Sequence, residues 1–138
     1  MKRIFLDTNI LVDLIADRKP YSKFAIQIFE ISESKKIKLY TSSHAFATTY
    51  YLLKKYVAEK QLRKILFDLL DFVQIISVNQ ETIKKSLKSI HKDFEDAIQI
   101  NAACSIENMD GIVTRNPKDF KLSEVDVFTP EDLVRQIQ

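Results

Sequence analysis

The segment KRIFLDTNILVDLIA, residues 2–16, decides the fold. Ile4, Phe5 and Leu6 form a short apolar run that reads as a strand over Lys2–Leu6. Helical patterning starts at Thr8 and continues to Ala16, so that Asp7 alone separates strand from helix. The same succession recurs along the chain. Further strands are expected at Ile37–Thr41, at the β-branched run Val73–Val78, at Gly111–Thr114 and at Val125–Phe128. Between them, helical patterns cover Pro20–Ser34, with Phe24, Ile28 and Ile31 at helical spacing and Pro20 suited to a first turn, then Ser43–Val57 and Glu59–Phe72. Asn79–His91 opens on a capping residue, and Phe94–Asn108 and Pro130–Gln138 complete the set. Strands alternating with helices predict an α/β fold: a mostly parallel sheet of about five strands, covered by helices on both faces. In such sheets the working site lies beyond the carboxyl ends of the strands.

A chain of 138 residues fits one domain, spanning 1–138, that buries its core without a disulfide or structural metal. The single glycine and three prolines leave no room for a long flexible linker. The start of the chain is basic and apolar, but Asp7, Asn9 and Asp13 interrupt it, which excludes a signal peptide and a membrane span. Cys104, the only cysteine, lies in the apolar run Ile98–Ile106 and is expected to be a buried core thiol, consistent with a cytoplasmic location. A net charge of +2 is too mild to name a nucleic-acid partner, and the lysine pairs Lys35-Lys36, Lys54-Lys55 and Lys84-Lys85 read first as solvated helix faces.

The rule about strand ends points to three places. Asp7 ends the first strand; by position it is a helix cap, but Thr8 and Asn9 could cap as well, leaving its carboxylate free for the cleft. In KDFEDAIQINAA, Asp93 can serve as N-cap with Asp96 as third helical residue, both favoured by the helix dipole. Asp96 also heads the face that carries Ile100 and Ala103, so it opens onto a cleft, whereas Glu95 is expected to point elsewhere. In GIVTRNPKDF, Asn116 and Asp119 follow the fourth strand, Asn-Pro signals a turn, and Arg115 can meet a phosphate. Oxygen ligands gathered in one cleft suit Mg²⁺ or Mn²⁺. Zinc is excluded by the spacing of His44, His91 and Cys104.

LDTNIL, the serine-rich junction TSSHAFATTYYLLKK, DFEDAIQINAA and IVTRNPKDF, in this order from Leu6 to Phe120, resemble a PIN domain. The resemblance implies a three-layer α/β/α sandwich, an acidic cleft that binds Mg²⁺ or Mn²⁺, and hydrolysis of RNA phosphodiester bonds that leaves a 5′-phosphate and a 3′-hydroxyl. It further implies a toxin of the VapC type, with a small antitoxin protein as partner. Asp7, Asp96 and Asp119 match the family's acids as metal ligands and catalytic residues, and Asn116 matches the Asp/Asn position after the fourth strand. Thr8, Asn9, Thr48 and Arg115 are the expected substrate contacts. One departure matters: the acid expected early in the helix after the second strand is missing. Counting from Ser42 that slot holds Thr48, and from Ser43 it holds Thr49; no Asp or Glu lies between Glu33 and Glu59. A non-catalytic PIN fold that binds RNA or protein is therefore the alternative. The apolar run Tyr50–Leu53 exceeds what one buried helix face needs and points to a homodimer.

Overall fold

The computed structural model describes residues 2–137. Five strands, β1 (Lys2–Leu6), β2 (Ile37–Ser42), β3 (Val73–Ile76), β4 (Gly111–Val113) and β5 (Val127–Phe128), form one parallel sheet in the order β3-β2-β1-β4-β5. The helices are α1 (Thr8–Ala16), α2 (Ser22–Glu33), α3 (Ser43–Leu53), α4 (Glu59–Leu69), α5 (Gln80–Leu87), α6 (Phe94–Cys104) and α7 (Pro130–Ile137), with a 3-10 turn at Pro117–Phe120.

Alternation along the strands builds the layers. On β1, Ile4 and Leu6 point into a core shared with α1, α2, α3, α4 and α7, while Phe5 points into a second core with Ile100, Ala103 and Phe120. On β4, Val113 joins the first core and Ile112 the second. Both faces are buried, as parallel sheets require, and the result is the expected three-layer α/β/α sandwich.

Element ends differ from the expected ones in consistent ways. Helices α3, α4, α5 and α6 stop about a turn early because their last residues relax into tighter turns; Tyr56 and Val57 both donate to the Leu53 carbonyl. Pro20 lies in the turn before α2, and the Arg18 carbonyl there accepts from Ser22 N at 2.7 Å. The last helix was expected to reach Gln138, which lies outside the described residues. Cys104 is exposed and not a core thiol: it is the last residue of α6, where the helix face has turned away from the sheet. The one glycine has a packing reason, since a Cβ on Gly111 would sit 2.6 Å from the Phe128 ring.

The chain leaves β1 towards β2 on one side and leaves β4 towards β5 on the other. The carboxyl ends of β1 and β4 therefore flank a topological switch point, where open α/β sheets form their crevice.

Candidate active site

Asp7 occupies that switch point. It is the N-cap of α1, and Thr8 N donates to its Oδ1 at 2.8 Å. Thr114, the residue after β4, donates its hydroxyl to Asp7 Oδ2 at 2.8 Å, and the Thr114 oxygen accepts in turn from Asn116 N at 3.1 Å. Asn9 Nδ2 lies 3.4 Å from both Asp7 Oδ2 and Thr114 Oγ1, and Asn9 Oδ1 accepts from Arg115 N. Capping and cleft-facing roles thus coincide in one carboxylate, which is only 8% exposed.

A cleft of about 390 Å³ opens over it, lined by Asp7, Thr8, Asn9, Thr48, Glu95, Asp96 and Arg115, with Arg18 and Gln99 beside them. Asp93 caps α6 by accepting from Asp96 N at 3.0 Å, which aims the Asp96 side chain inward above the buried Ile100 and Ala103. Asp96 also borders a smaller recess of about 240 Å³ with Asp93 and Asp119, so it joins the two. A larger groove of about 970 Å³ lies at the amino ends of β2 and β3, remote from these acids.

Of the two threonines, Thr48 lines the cleft, whereas Thr49 is fully buried and donates to the Ala45 carbonyl at 2.7 Å. Asn116 stands apart: its side chain is exposed and borders a neighbouring groove with Tyr21 and Pro130, and only its backbone reaches the Asp7 network. Glu95 faces the cleft, contrary to expectation. It sits in the first turn of α6 at the open mouth, where a largely solvated side chain still borders the cavity, 4.0 Å from His44 Nε2.

Gln99, Ser42, Asp13 and Thr114 had no role assigned from sequence. Gln99 is buried; Ser42 donates to its Oε1 at 2.6 Å and its Nε2 donates to Thr8 Oγ1 at 3.3 Å, linking the N-cap of α3 to the first residue of α1. A charged residue inside the apolar string ILVDLI was a signal for Asp13. Thr114 is the threonine of the Thr-x-Asn string after the fourth strand, and that string was the signal for it.

The acids repel one another. Burial, followed by the charges of Asp93, Asp7, Asp119 and Glu95, pushes the Asp96 carboxyl up to about 7. Burial also raises Asp7, opposed by its bonds from Thr114 and Thr8. Among the described residues, no three His, Cys, Asp or Glu side chains are close enough to hold an ion directly. The donor set is nevertheless all oxygen, and carboxylates outnumber arginines around the cleft, which fits a hydrated hard cation bridged to the protein through water.

A pH effect follows. Because folded Asp96 titrates near 7 and an ordinary aspartate near 3.8, the native state holds an extra proton between those limits, and metal-free stability falls as pH rises through that window. A divalent cation competes with that proton. The melting temperature in EDTA should drop from about pH 5 to about pH 8, and the gain on adding Mg²⁺ should grow over the same range. A Mg²⁺-induced gain that is flat with pH would remove Asp96 from the ion's surroundings.

The fold is shared with known proteins. A family model described as PIN domain matches residues 3–118. A ribonuclease VapC1 from Aquifex aeolicus is 28% identical, over 95% of this chain and 92% of its own. A toxin-antitoxin complex from Klebsiella pneumoniae contains a chain 28% identical, with a TM-score of 0.67, covering 92% of this chain and 97% of that one. The fold also matches VapBC2 from Rickettsia felis bound to a DNA fragment from their promoter, at 20% identity and a TM-score of 0.65, covering 92% and 98%.

Proposed function

The chain belongs to the PIN-domain family, and from that premise we propose that it is a metal-dependent endoribonuclease, the toxin of a type II toxin–antitoxin pair. One observation carries the reading: a buried Asp7 at the sheet's switch point, held by Thr8 and Thr114 and sharing with Asp96 and Glu95 a cleft whose carboxylates outnumber its two arginines. The similarity to a protein named ribonuclease VapC1 and to a toxin-antitoxin complex supports it.

In this reading Asp7, Asp96 and Asp119 would hold a hydrated Mg²⁺ or Mn²⁺. The ion, when bound, polarises a phosphoryl oxygen and makes water a better nucleophile at neutral pH. The protein's own part is positional. Thr8 N and the Thr114 hydroxyl fix Asp7 without neutralising it. Asn116 supports that hydroxyl through its backbone, a narrower role than its side chain was expected to play. Thr8, Asn9 and Thr48 offer polar contacts along the cleft, and Arg115 and Arg18 supply the positive edge that a polyanion needs beside an acidic floor. The reading includes a single domain over 1–138, a cytoplasmic setting and a small antitoxin partner. Among the described residues no helix is long and apolar enough to cross a membrane.

A non-catalytic RNA- or protein-binding module is the second reading, favoured by Thr48 in the acid slot and by the absence of a direct ligand cluster among the described residues. Incubation of 5′-labelled mixed-sequence RNA with Mn²⁺ or EDTA separates them. Metal-dependent cleavage that leaves a 5′-phosphate and a 3′-hydroxyl is expected; RNA that stays intact in Mn²⁺ would favour the module.

Pairing into a homodimer is part of the same reading. Tyr51 and Leu52 on α3, Tyr56 after it, and Phe67 and Leu70 at the end of α4 are all exposed, more apolar surface than a solvated helix pair needs. Light scattering at micromolar concentration should give twice the chain mass, and Tyr56→Glu with Phe67→Glu should halve it. A monomer for the unaltered protein would count against it.

A further inference from the structure

Asp13 is a charge in an apolar place. It lies on α1 between the core residues Val12 and Leu14, is 1% exposed, and its Oδ1 has no partner. A carboxylate is not buried so completely without an opposing charge. The nearest such charge is Arg115, whose Nε sits 2.7 Å from Asp13 Oδ2, with Arg18 acting on the carboxyl as well, although burial outweighs both and raises its pKa. The contact is ionic rather than a well-aligned hydrogen bond, since neither Arg115 Nε nor Asp13 Oδ1 has an aligned partner. The guanidinium also lies over the Tyr21 ring, 4.2 Å from its centroid, and the Arg115 backbone is held by Asn9 Oδ1 at 3.3 Å. Arg115 is thus fixed at Nε, across its face and at its backbone.

Its remaining edge is free. The terminal nitrogens of Arg115 make no hydrogen bond to any described residue and are not sealed from solvent, and the side chain stands on the rim between the acidic cleft, with Arg18 close by, and the neighbouring groove that holds Tyr21. A planar fork with two open donors is the group that grips a phosphate two-handed. An RNA phosphate near Asp7, Glu95 and Asp96 meets repulsion, which a fixed cation at the rim offsets. A purely structural pin between α1 and the turn after β4 needs none of this, because an apolar pair of similar size stabilises as well as a buried ion pair.

We propose that Asp13, with Tyr21, is a positioning residue that presents the Arg115 guanidinium to a phosphate of RNA in the acidic cleft. The inference rests on the ribonuclease reading for the choice of RNA as the anion, but not on catalysis.

The test measures binding of a short labelled single-stranded RNA in EDTA by fluorescence anisotropy, so metal and cleavage do not enter. Arg115→Met should weaken binding about tenfold and Arg115→Lys nearly as much, as expected for one two-pronged charged contact. Asp13→Asn should match Arg115→Met, and should add nothing in the Arg115→Met background. An Asp13→Asn variant that melts lower yet binds RNA as the unaltered protein does would reduce Asp13 to a structural role and overturn the proposal. An equal loss in both backgrounds, or no RNA binding by the unaltered protein, would also overturn it. If Asp13→Asn fails to fold, the Arg115 Nε–H resonance of the unaltered protein decides: it should be slowly exchanging and shift on RNA addition, and an averaged, unmoved signal refutes the idea. The predicted binding pattern together with RNA left uncut in Mn²⁺ would support Asp13's role while ending the nuclease reading.

Discussion

Asp7→Asn should abolish RNA cleavage while leaving the metal-free protein at least as stable as before. The two effects have separate causes. Asparagine keeps the shape of the side chain and an oxygen for Thr8 N, so the cap of α1 survives. The Thr114 hydroxyl, which donates to Asp7 Oδ2 and already accepts from Asn116 N, can accept from the new amide only by displacing the weak 3.4 Å contact from Asn9 Nδ2, a rearrangement that offsets part of the gain. What is lost is a negative charge that burial makes costly in the folded state, as the raised pKa of Asp7 records. Without metal, its removal relieves strain among the acids, and the Asp96 carboxyl should titrate lower because Asp7 is one of the charges that raise it. With metal, the same removal takes away charge stabilisation of several kcal/mol, about a hundredfold or more in cleavage rate. Cleavage of labelled RNA in Mn²⁺ and melting in EDTA check both arms. Asp96→Asn should behave alike with a smaller gain in stability, being less buried. Unchanged cleavage in Asp7→Asn would remove the acidic cleft from the chemistry.

The order of strands and helices was legible because short apolar runs such as Ile4–Leu6 and Val73–Ile76 alternate with helical spacing, and burial of both sheet faces leaves few other ways to fold them. Asp7 and Asp96 were legible for the same reason: a strand end and the head of a buried helical stripe both point at the crevice. Side-chain direction within turns was not. Asn116 is adjacent in sequence to Arg115, yet the backbone that leads into the 3-10 turn sends the Asn116 side chain to another groove. Glu95 lies about 100° round the helix from Asp96, which argues against a shared face; at the first turn of a helix beside an open cleft, that angle does not remove it from the rim. The Asp13–Arg115 pair joins α1 to the turn after β4, and no spacing rule links such distant positions. Cys104 failed as a core residue because an apolar run in sequence outlasted the buried face of its helix.

Thr48→Glu should bind Mn²⁺ more tightly and cleave RNA faster than the unaltered protein. Thr48 lies on α3 and lines the cleft with Asp7, Glu95 and Asp96, so a carboxylate there adds charge where the acids already converge. At an effective dielectric constant near 20 and with solvent screening, one more carboxylate within reach of a divalent ion contributes about 1–2 kcal/mol, roughly tenfold in affinity. The gain should be larger for a second ion than for a first, because mutual repulsion of two cations falls with each added negative charge. Without metal the sign reverses: another acid raises Asp96 further and lowers the melting temperature in EDTA, even though glutamate suits a helix better than threonine. Glu95 sharpens the comparison, since it already lines the cleft from α6 and its charge acts on both Asp7 and Asp96. If Glu95 stands in for the missing acid, Glu95→Gln alone should weaken Mn²⁺ binding, and Thr48→Glu should restore it in that background. If it does not, Glu95→Gln should leave affinity unchanged while Thr48→Glu still improves it. Calorimetric titration of Mn²⁺ into the four proteins, followed by RNA cleavage at matched metal occupancy, separates these outcomes. An affinity that stays the same in Thr48→Glu would show that the threonine position does not tune the site, and that the charge available for an ion comes from α1, α6 and the turn after β4 alone.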